Sequence, residues 1–217
     1  MIPALGRPFD LEEEAFWRRL NLVSYVQYLR PGKLLDVGCG NGLLVDCCKD
    51  AYGVDVVQHW DEDDRLQVCT STWIPHKDKM FTTASCIEVL EHAEYETILL
   101  QEIHRVLQPY GLLIITVPNR WWLFETHNEW PWNRVPFINY LPWRNHWSRA
   151  RCYTKRSLRI LLEPNFQVME IGYVTASLDV MRPRWLAKWV RNIFFSKDTT
   201  QLPVKATSIY AIARRLP

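Results

Sequence analysis

Leu35-Asp36-Val37-Gly38-Cys39-Gly40-Asn41-Gly42 is an apolar run that breaks into a glycine-rich turn, and its reading decides the fold. Three of the chain's eight glycines fall within this stretch. Backbone there must bend sharply and approach a ligand without a Cβ in the way. The residues that follow, Leu43 to Asp50, are apolar and helix-compatible, so a strand turns into a helix whose free N-terminal amides face the ligand. Such a turn binds a cofactor.

The glycines alone leave the ligand open. Their spacing is one residue short of the Gly-x-Gly-x-x-Gly turn that seats a dinucleotide pyrophosphate on a helix N-terminus. Two acids separate the readings. Asp36, two residues before the first glycine, puts a carboxylate where it faces a cationic ammonium but repels a pyrophosphate. Asp55 closes the next short apolar run, Ala51-Tyr52-Gly53-Val54, and is placed to accept hydrogen bonds from ribose hydroxyls. A nucleoside with a positively charged tail and no phosphate satisfies both, and S-adenosylmethionine is such a molecule.

With these residues the chain resembles the class I S-adenosylmethionine-dependent methyltransferases, in particular the group with ubiquinone-pathway and other small-molecule members. The resemblance covers residues 33 to 120 well and the rest loosely. It rests on Leu34 to Gly42, on Tyr52-Gly53-Val54-Asp55, on Cys86-Ile87-Glu88-Val89-Leu90-Glu91-His92, and on the long stretch from Glu102 to Asn119. It implies a Rossmann-like, doubly wound α/β sheet of about seven strands, mostly parallel with an antiparallel edge hairpin, and helices on both faces. It also implies that Asp36 or the backbone of Gly38, Cys39, Gly40, Asn41 and Gly42 meets the methionyl tail, Asp55 the ribose, and the segment around Cys86 the open side of the cofactor. Two departures stand out. Thr70, before Pro75, replaces an acid often found near the adenine, and Phe81-Thr82 replaces the frequent Phe-Asp. A hydroxyl still hydrogen-bonds an adenine amino group, so Thr70 is kept as a cofactor contact.

Composition agrees with one α/β domain. The chain has 217 residues, 48% hydrophobic and 23% charged, enough for one well-buried core and short for two. A net charge of +2 offers no global field for nucleic acid. The six cysteines form no Cys-x-x-Cys pair, and reduced thiols in a cytoplasmic protein are the simplest account. The first residues lack a basic segment followed by an apolar core, and no run approaches the ~20 apolar residues that span a bilayer.

Patterning predicts alternating elements. Asp10 with Glu13 opens an amphipathic helix that runs to about Leu29 and stops before Pro31-Gly32. Strands are expected at 33–37, 51–55, 81–87 and 112–117, with helices at 42–50 and 94–107. Residues 166–174 and 206–213 supply the edge hairpin. The expected organisation is an N-terminal helix (1–32), a cofactor-binding core (33–118), an aromatic substrate cap (119–153) and a C-terminal part (154–217).

The cap expectation comes from residues 119–153, which hold six of the eleven tryptophans together with Phe124, Phe137, Tyr140 and Tyr153, broken by Pro131, Pro136 and Pro142. That is too aromatic for a solvated loop and too interrupted for one helix. Two readings remain: a cap with walls for a flat or apolar small-molecule acceptor, or a satellite cluster that packs onto the sheet.

Glu88, Glu91 and His92 form a second chemical cluster. On a helix beginning near Glu88, offsets of three and four place all three side chains on one face. Two carboxylates and an imidazole, with His146 as a fourth ligand, suit a divalent cation such as Mg. A similar arrangement holds metal in methyltransferases of small-RNA ends, which keeps an RNA 2'-O-methyltransferase as an alternative. Cofactor-loop or structural roles compete with it. Methyl transfer itself needs in-line positioning and, where the acceptor loses a proton, a base. His92 is the first choice, with His127 and His146 in reserve.

Residues 183–195 alternate so that Trp185, Leu186, Trp189, Val190, Ile193 and Phe194 line one helical face, opposite Arg184, Lys188 and Arg191. Peripheral membrane contact and ordinary packing against a core both fit this pattern. The leading expectation is methyl transfer to a small, aromatic or lipid-linked acceptor. A catalytically degenerate binding subunit is the other class retained, and the oligomeric state is left open.

Overall fold

The computed structural model describes residues 21, 23–70, 72–120, 151–174 and 208–217. Within them seven strands form one sheet in the order β3-β2-β1-β4-β5-β7-β6. The strands are β1 (Leu34–Val37), β2 (Ala51–Asp55), β3 (Leu66–Val68), β4 (Phe81–Ile87), β5 (Leu107–Pro118), β6 (Phe166–Val174) and β7 (Ser208–Arg215). The first five run parallel. β7 is antiparallel to β5 and to the edge strand β6. The chain winds outward from β1 through β2 to β3 and then returns to place β4 on the other side of β1. The carboxyl ends of β1 and β4 therefore flank a topological switch point, where open α/β sheets bind ligands.

Helices cover both faces, as expected for a buried parallel sheet. Residues 23–29 are helical (α1), and α2 is Leu43–Cys47. Val23 and Val26 of α1 join Leu44 and Val45 of α2 over Leu34, Ile87, Leu112, Ile114 and Ile212. On the opposite face α3 (Glu96–Val106) and α4 (Lys155–Leu162) pack on the alternate strand residues. There Leu99, Leu100, Ile103 and Leu158 meet Leu35, Val37, Ala84, Leu113 and Ile115. The period-two alternation of strand side chains is what divides the core into these two layers.

Several expected bounds move. α2 ends at Cys47 rather than 50, because Cys48 is extended and Asp50 takes φ +55° to start β2. β5 begins at Leu107, five residues early. Its pairing with β4 jumps from Phe81–Leu107 to Thr83–Leu112, and the Pro109-Tyr110-Gly111 turn bulges out within the strand, with Tyr110 at φ +62°. β7 is Ser208–Arg215 rather than 206–213. β3 had no sequence signal: three residues beside the acidic run 61–64 are too short to show a period. α4 was also not expected. Its start is a capping box in which the Thr154 side chain accepts from Ser157 N and the Ser157 side chain from Thr154 N, with serine where glutamate usually stands.

The expected helix start at Asp10, most of the aromatic cap and the amphipathic segment 183–195 lie outside the described residues.

Candidate functional site

The glycine turn has the geometry its spacing demands. Gly38, Gly40 and Gly42 take φ of +75°, +55° and +79°, a left-handed backbone at every second residue. Gly38 N and Cys39 N both donate to Val54 O, at 2.7 and 3.1 Å, which ties the turn to the end of β2. A Cβ on Gly38 would sit 2.1 Å from Val89 Cγ2, and one on Gly42 would sit 2.6 Å from Leu66 Cδ1. A Cβ on Gly40 would meet nothing within 4 Å among the described residues. The outer glycines are thus required by the protein's own packing, and the middle one borders the space a ligand would enter.

Asp55 braces this turn. Its Oδ2 accepts from Gly40 N at 2.8 Å, and its Oδ1 accepts from Val57 N at 3.3 Å. Asn41 Oδ1 accepts from Leu43 N at 3.3 Å, so the first amide of α2 is met by the turn's own side chain and is not left for a ligand. Asp36 is 7% exposed at the end of β1, and its Oδ1 accepts from Ser85 Oγ at 2.7 Å. Thr70 lies just beyond β3, where Cys69 N donates to Asp55 O, and its exposed Oγ1 is 3.1 Å from that of Thr72. Asp36, Gly38, Gly40, Asn41, Asp55 and Thr70 therefore gather at the carboxyl ends of β1, β2 and β3. Beside them an open depression of about 460 Å³ is lined by Asn41, Asp46, Trp60 and the acids 61–63.

The thiols in this region are chemically quiet. Burial, followed by the charges of Asp36 and Asp55, pushes Cys39 up to about 12. Burial and then Asp55 raise Cys69 to about 11. Cys86 was expected to border the cofactor, but its side chain is fully buried in the core of β4 and its thiol is held well above the usual range, first by burial and then by Glu91. Its thiol does not reach the site. The correction follows from strand alternation, which turns residue 86 toward α3 and leaves only backbone near the ligand side.

Glu88, Glu91 and His92 do not share a helix face. Glu88 has φ +56°, which breaks the chain between β4 and the short 3-10 turn Leu90–His92. Glu88 N donates to Thr116 O at 3.1 Å, and Glu88 Oε1 accepts from Thr116 Oγ1 at 2.9 Å. Consecutive side chains of a 3-10 turn diverge by about 120°. Glu91 accordingly points inward with 0% exposure, and the His92 side chain is 55% exposed. Their closest approach is 3.8 Å, from His92 Nε2 to Glu91 Oε1. Among the described residues no group of three or more His, Cys, Asp and Glu side chains is arranged to hold a metal ion. His127 and His146 lie outside the described residues.

Two features of the site escaped sequence reasoning. The first is Ser85, a hydroxyl inside an otherwise buried strand. The second is a clasp on the 3-10 turn made by residues 151–153. Arg151 N donates to Glu91 O at 3.2 Å, and its guanidinium donates to Ala93 O and to Glu94 O. Tyr153 OH donates to Glu96, while Tyr153 N donates to Pro118 O at 2.9 Å and Arg120 N to Tyr153 O at 2.8 Å. The clasp thus pins the loop after β4 to the end of β5. Nothing in the local pattern of Arg151-Cys152-Tyr153 announces a contact with residues about sixty positions earlier.

Residues 14–171 match the model of a family described as a methyltransferase domain, and the chain belongs to that family. Its fold is that of the class I S-adenosylmethionine-dependent methyltransferases. A solved S-adenosylmethionine-dependent methyltransferase from Mesorhizobium loti superposes with a TM-score of 0.64 at 15% identity, covering 95% of this chain and 100% of that one. The cyclase SpnF superposes with a TM-score of 0.62 at 19% identity, covering 96% and 85%. An uncharacterised protein of Methanocaldococcus jannaschii is 32% identical over 93 residues, 40% of this chain and 41% of that relative, so the match spans well under half of either. A cyclase on the same fold is a reminder that the sheet supplies the binding site and that the reaction depends on what stands above it. Among the described residues no helix is long and apolar enough to cross a membrane.

Proposed function

We propose that the chain binds S-adenosylmethionine over the glycine turn and transfers its methyl group to a small aromatic or lipid-linked acceptor. The observation that carries the cofactor half is the bond from Gly40 N to Asp55 Oδ2, which closes the ends of β1 and β2 around a glycine where a Cβ would meet nothing within 4 Å among the described residues. The residues fit the cofactor: Asp36 offers a carboxylate to the ammonium, Asp55 one to the ribose hydroxyls, and Thr70 a hydroxyl toward the adenine. When bound, the donor supplies an activated methyl group on a sulfonium.

What the protein adds is position and a place for the acceptor's proton. His92 is the candidate base. Its side chain is 55% exposed just past the carboxyl end of β4, and its Nε2 lies 3.8 Å from the buried Glu91 carboxylate. The aromatic richness of residues 119–153 supports a flat or apolar acceptor. The apolar residues spaced at helical intervals in the sequence of 183–195 support a peripheral membrane contact that would bring a lipid-linked acceptor within reach.

The test is transfer of label from methyl-labelled S-adenosylmethionine to panels of phenols, quinols and lipid extracts. We expect label in one of these classes and a loss of about 10²–10⁴-fold on His92→Ala. Cofactor binding without transfer to any class would favour the degenerate binding subunit instead.

A further inference from the structure

We infer that Ser85 is a positioning residue for the cofactor site: its buried hydroxyl holds the Asp36 carboxylate ionised and oriented for the ammonium of the donor's methionyl tail. This rests on reading the turn as an S-adenosylmethionine site and goes one residue deeper into it.

The composition of β4 first marks the residue. A strand between two parallel neighbours, covered on both faces, reads as a near-continuous run of Val, Ile and Leu. β4 instead carries Thr83 and Ser85, both with 0% exposure, two positions apart on one face. A buried hydroxyl costs stability unless it is hydrogen-bonded. Thr83 is satisfied by Gln27 Nε2 of α1, at 2.5 Å. Ser85 stands in register with Asp36 on β1 and donates to its Oδ1 at 2.7 Å. Ser85 Oγ also lies 3.4 Å from Leu35 O, but a hydroxyl has one proton, and the shorter bond to a carboxylate takes it.

That bond acts on charge as well as on orientation. Asp36 is 7% exposed, and burial alone disfavours a carboxylate. A donated hydrogen bond favours the ionised form and stops rotation of the group about its Cβ–Cγ bond. The titratable groups near Asp36 include the thiols of Cys39 in the turn, Cys48 after α2 and Cys86 in β4, and the Asp55 carboxylate that braces the same turn. All three thiols are raised above the ordinary thiol value, so they stay neutral across the acid range, and because Asp55 does not touch Ser85, a shift of the acid limb that appears only on loss of the Ser85 hydroxyl reports Asp36.

Titration calorimetry with S-adenosylhomocysteine, which keeps the methionyl tail, from about pH 4.5 to 8 tests the inference. Ser85→Ala and the near-isosteric Ser85→Cys should bind about tenfold or more weakly at neutral pH, the effect of a lost hydrogen bond to a charge. Their affinity should also begin to fall at a higher pH than that of the native chain, because an Asp36 without its donor takes up a proton sooner. Ser85→Thr, which keeps the hydroxyl, should retain the native acid limb. Thr83→Val removes an equally buried hydroxyl and should lower the unfolding midpoint without moving the limb. Native affinity and limb in both Ser85→Ala and Ser85→Cys would overturn the proposal, as would a loss of equal size at every pH. A native chain that binds no S-adenosylhomocysteine would overturn the cofactor reading itself.

Discussion

Among single residues, the three turn glycines do different work and should fail differently. Gly38→Ala places a Cβ against Val89 in a left-handed backbone, and overpacking of this kind costs about 1–3 kcal/mol. Urea unfolding should show it directly. Gly40→Ala meets no neighbour among the described residues and should cost only about 1–2 kcal/mol for its positive φ, while weakening cofactor binding more than Gly38→Ala weakens it per unit of stability lost. A similar contrast applies to the cysteines. Cys47 is exposed, whereas Cys39 and Cys69 are buried with thiols raised to about 12 and about 11. Iodoacetamide at neutral pH should label Cys47 and spare Cys39 and Cys69 until the chain unfolds. The role of the glycines was legible in sequence because a left-handed turn needs that residue type. The burial of Cys86 was not, because it depends on strand register, which only the neighbouring strands set.

For the elements, the loop after β4 shows where sequence reading fails. Glu88, Glu91 and His92 have helical spacing, and the expectation of one shared face followed from it. The chain instead turns at Glu88, with φ +56°, because β5 captures Glu88 through Thr116 on one side and residues 151–153 hold the loop from the other. Tertiary contacts overrode a local period, and none of them is local in sequence. β1 and the Leu112–Val117 part of β5 were legible for the opposite reason: they are buried throughout and read as apolar runs whatever packs on them. If the Arg151 clasp fixes the loop, Arg151→Ala should speed amide exchange in residues 90–96 while leaving β1 and β2 protected, as hydrogen-exchange mass spectrometry would show. Unchanged exchange there would mean that Thr116 and Tyr153 hold it without Arg151.

Across the whole molecule, acid stability follows from half-buried bases. His76 is held below its ordinary value by burial and then by Arg105, and His104 by burial and then by Arg215. Both rings are favoured neutral in the folded chain, so the unfolded chain binds more protons as pH drops below about 6.5. Stability should therefore be full above that pH and decline from there down to the depressed folded values. The Glu102 carboxyl, held low by Arg105, adds a further loss in more acid solution as pH falls through its own depressed value. The urea midpoint should drop between pH 7.5 and 5.5, and His76→Gln should flatten the drop.

The same sheet that buries these groups brings Asp36, the glycine turn, Asp55 and Thr70 to one edge, although up to 34 positions separate them in sequence. That convergence is the basis for assigning the methyl donor. Side-by-side equilibrium titration of the native chain with S-adenosylhomocysteine and with NAD tests it most directly. The account predicts saturable one-to-one binding of S-adenosylhomocysteine, weakened about tenfold or more by Asp55→Ala, and none of NAD. Binding of NAD, or of neither ligand, would contradict it.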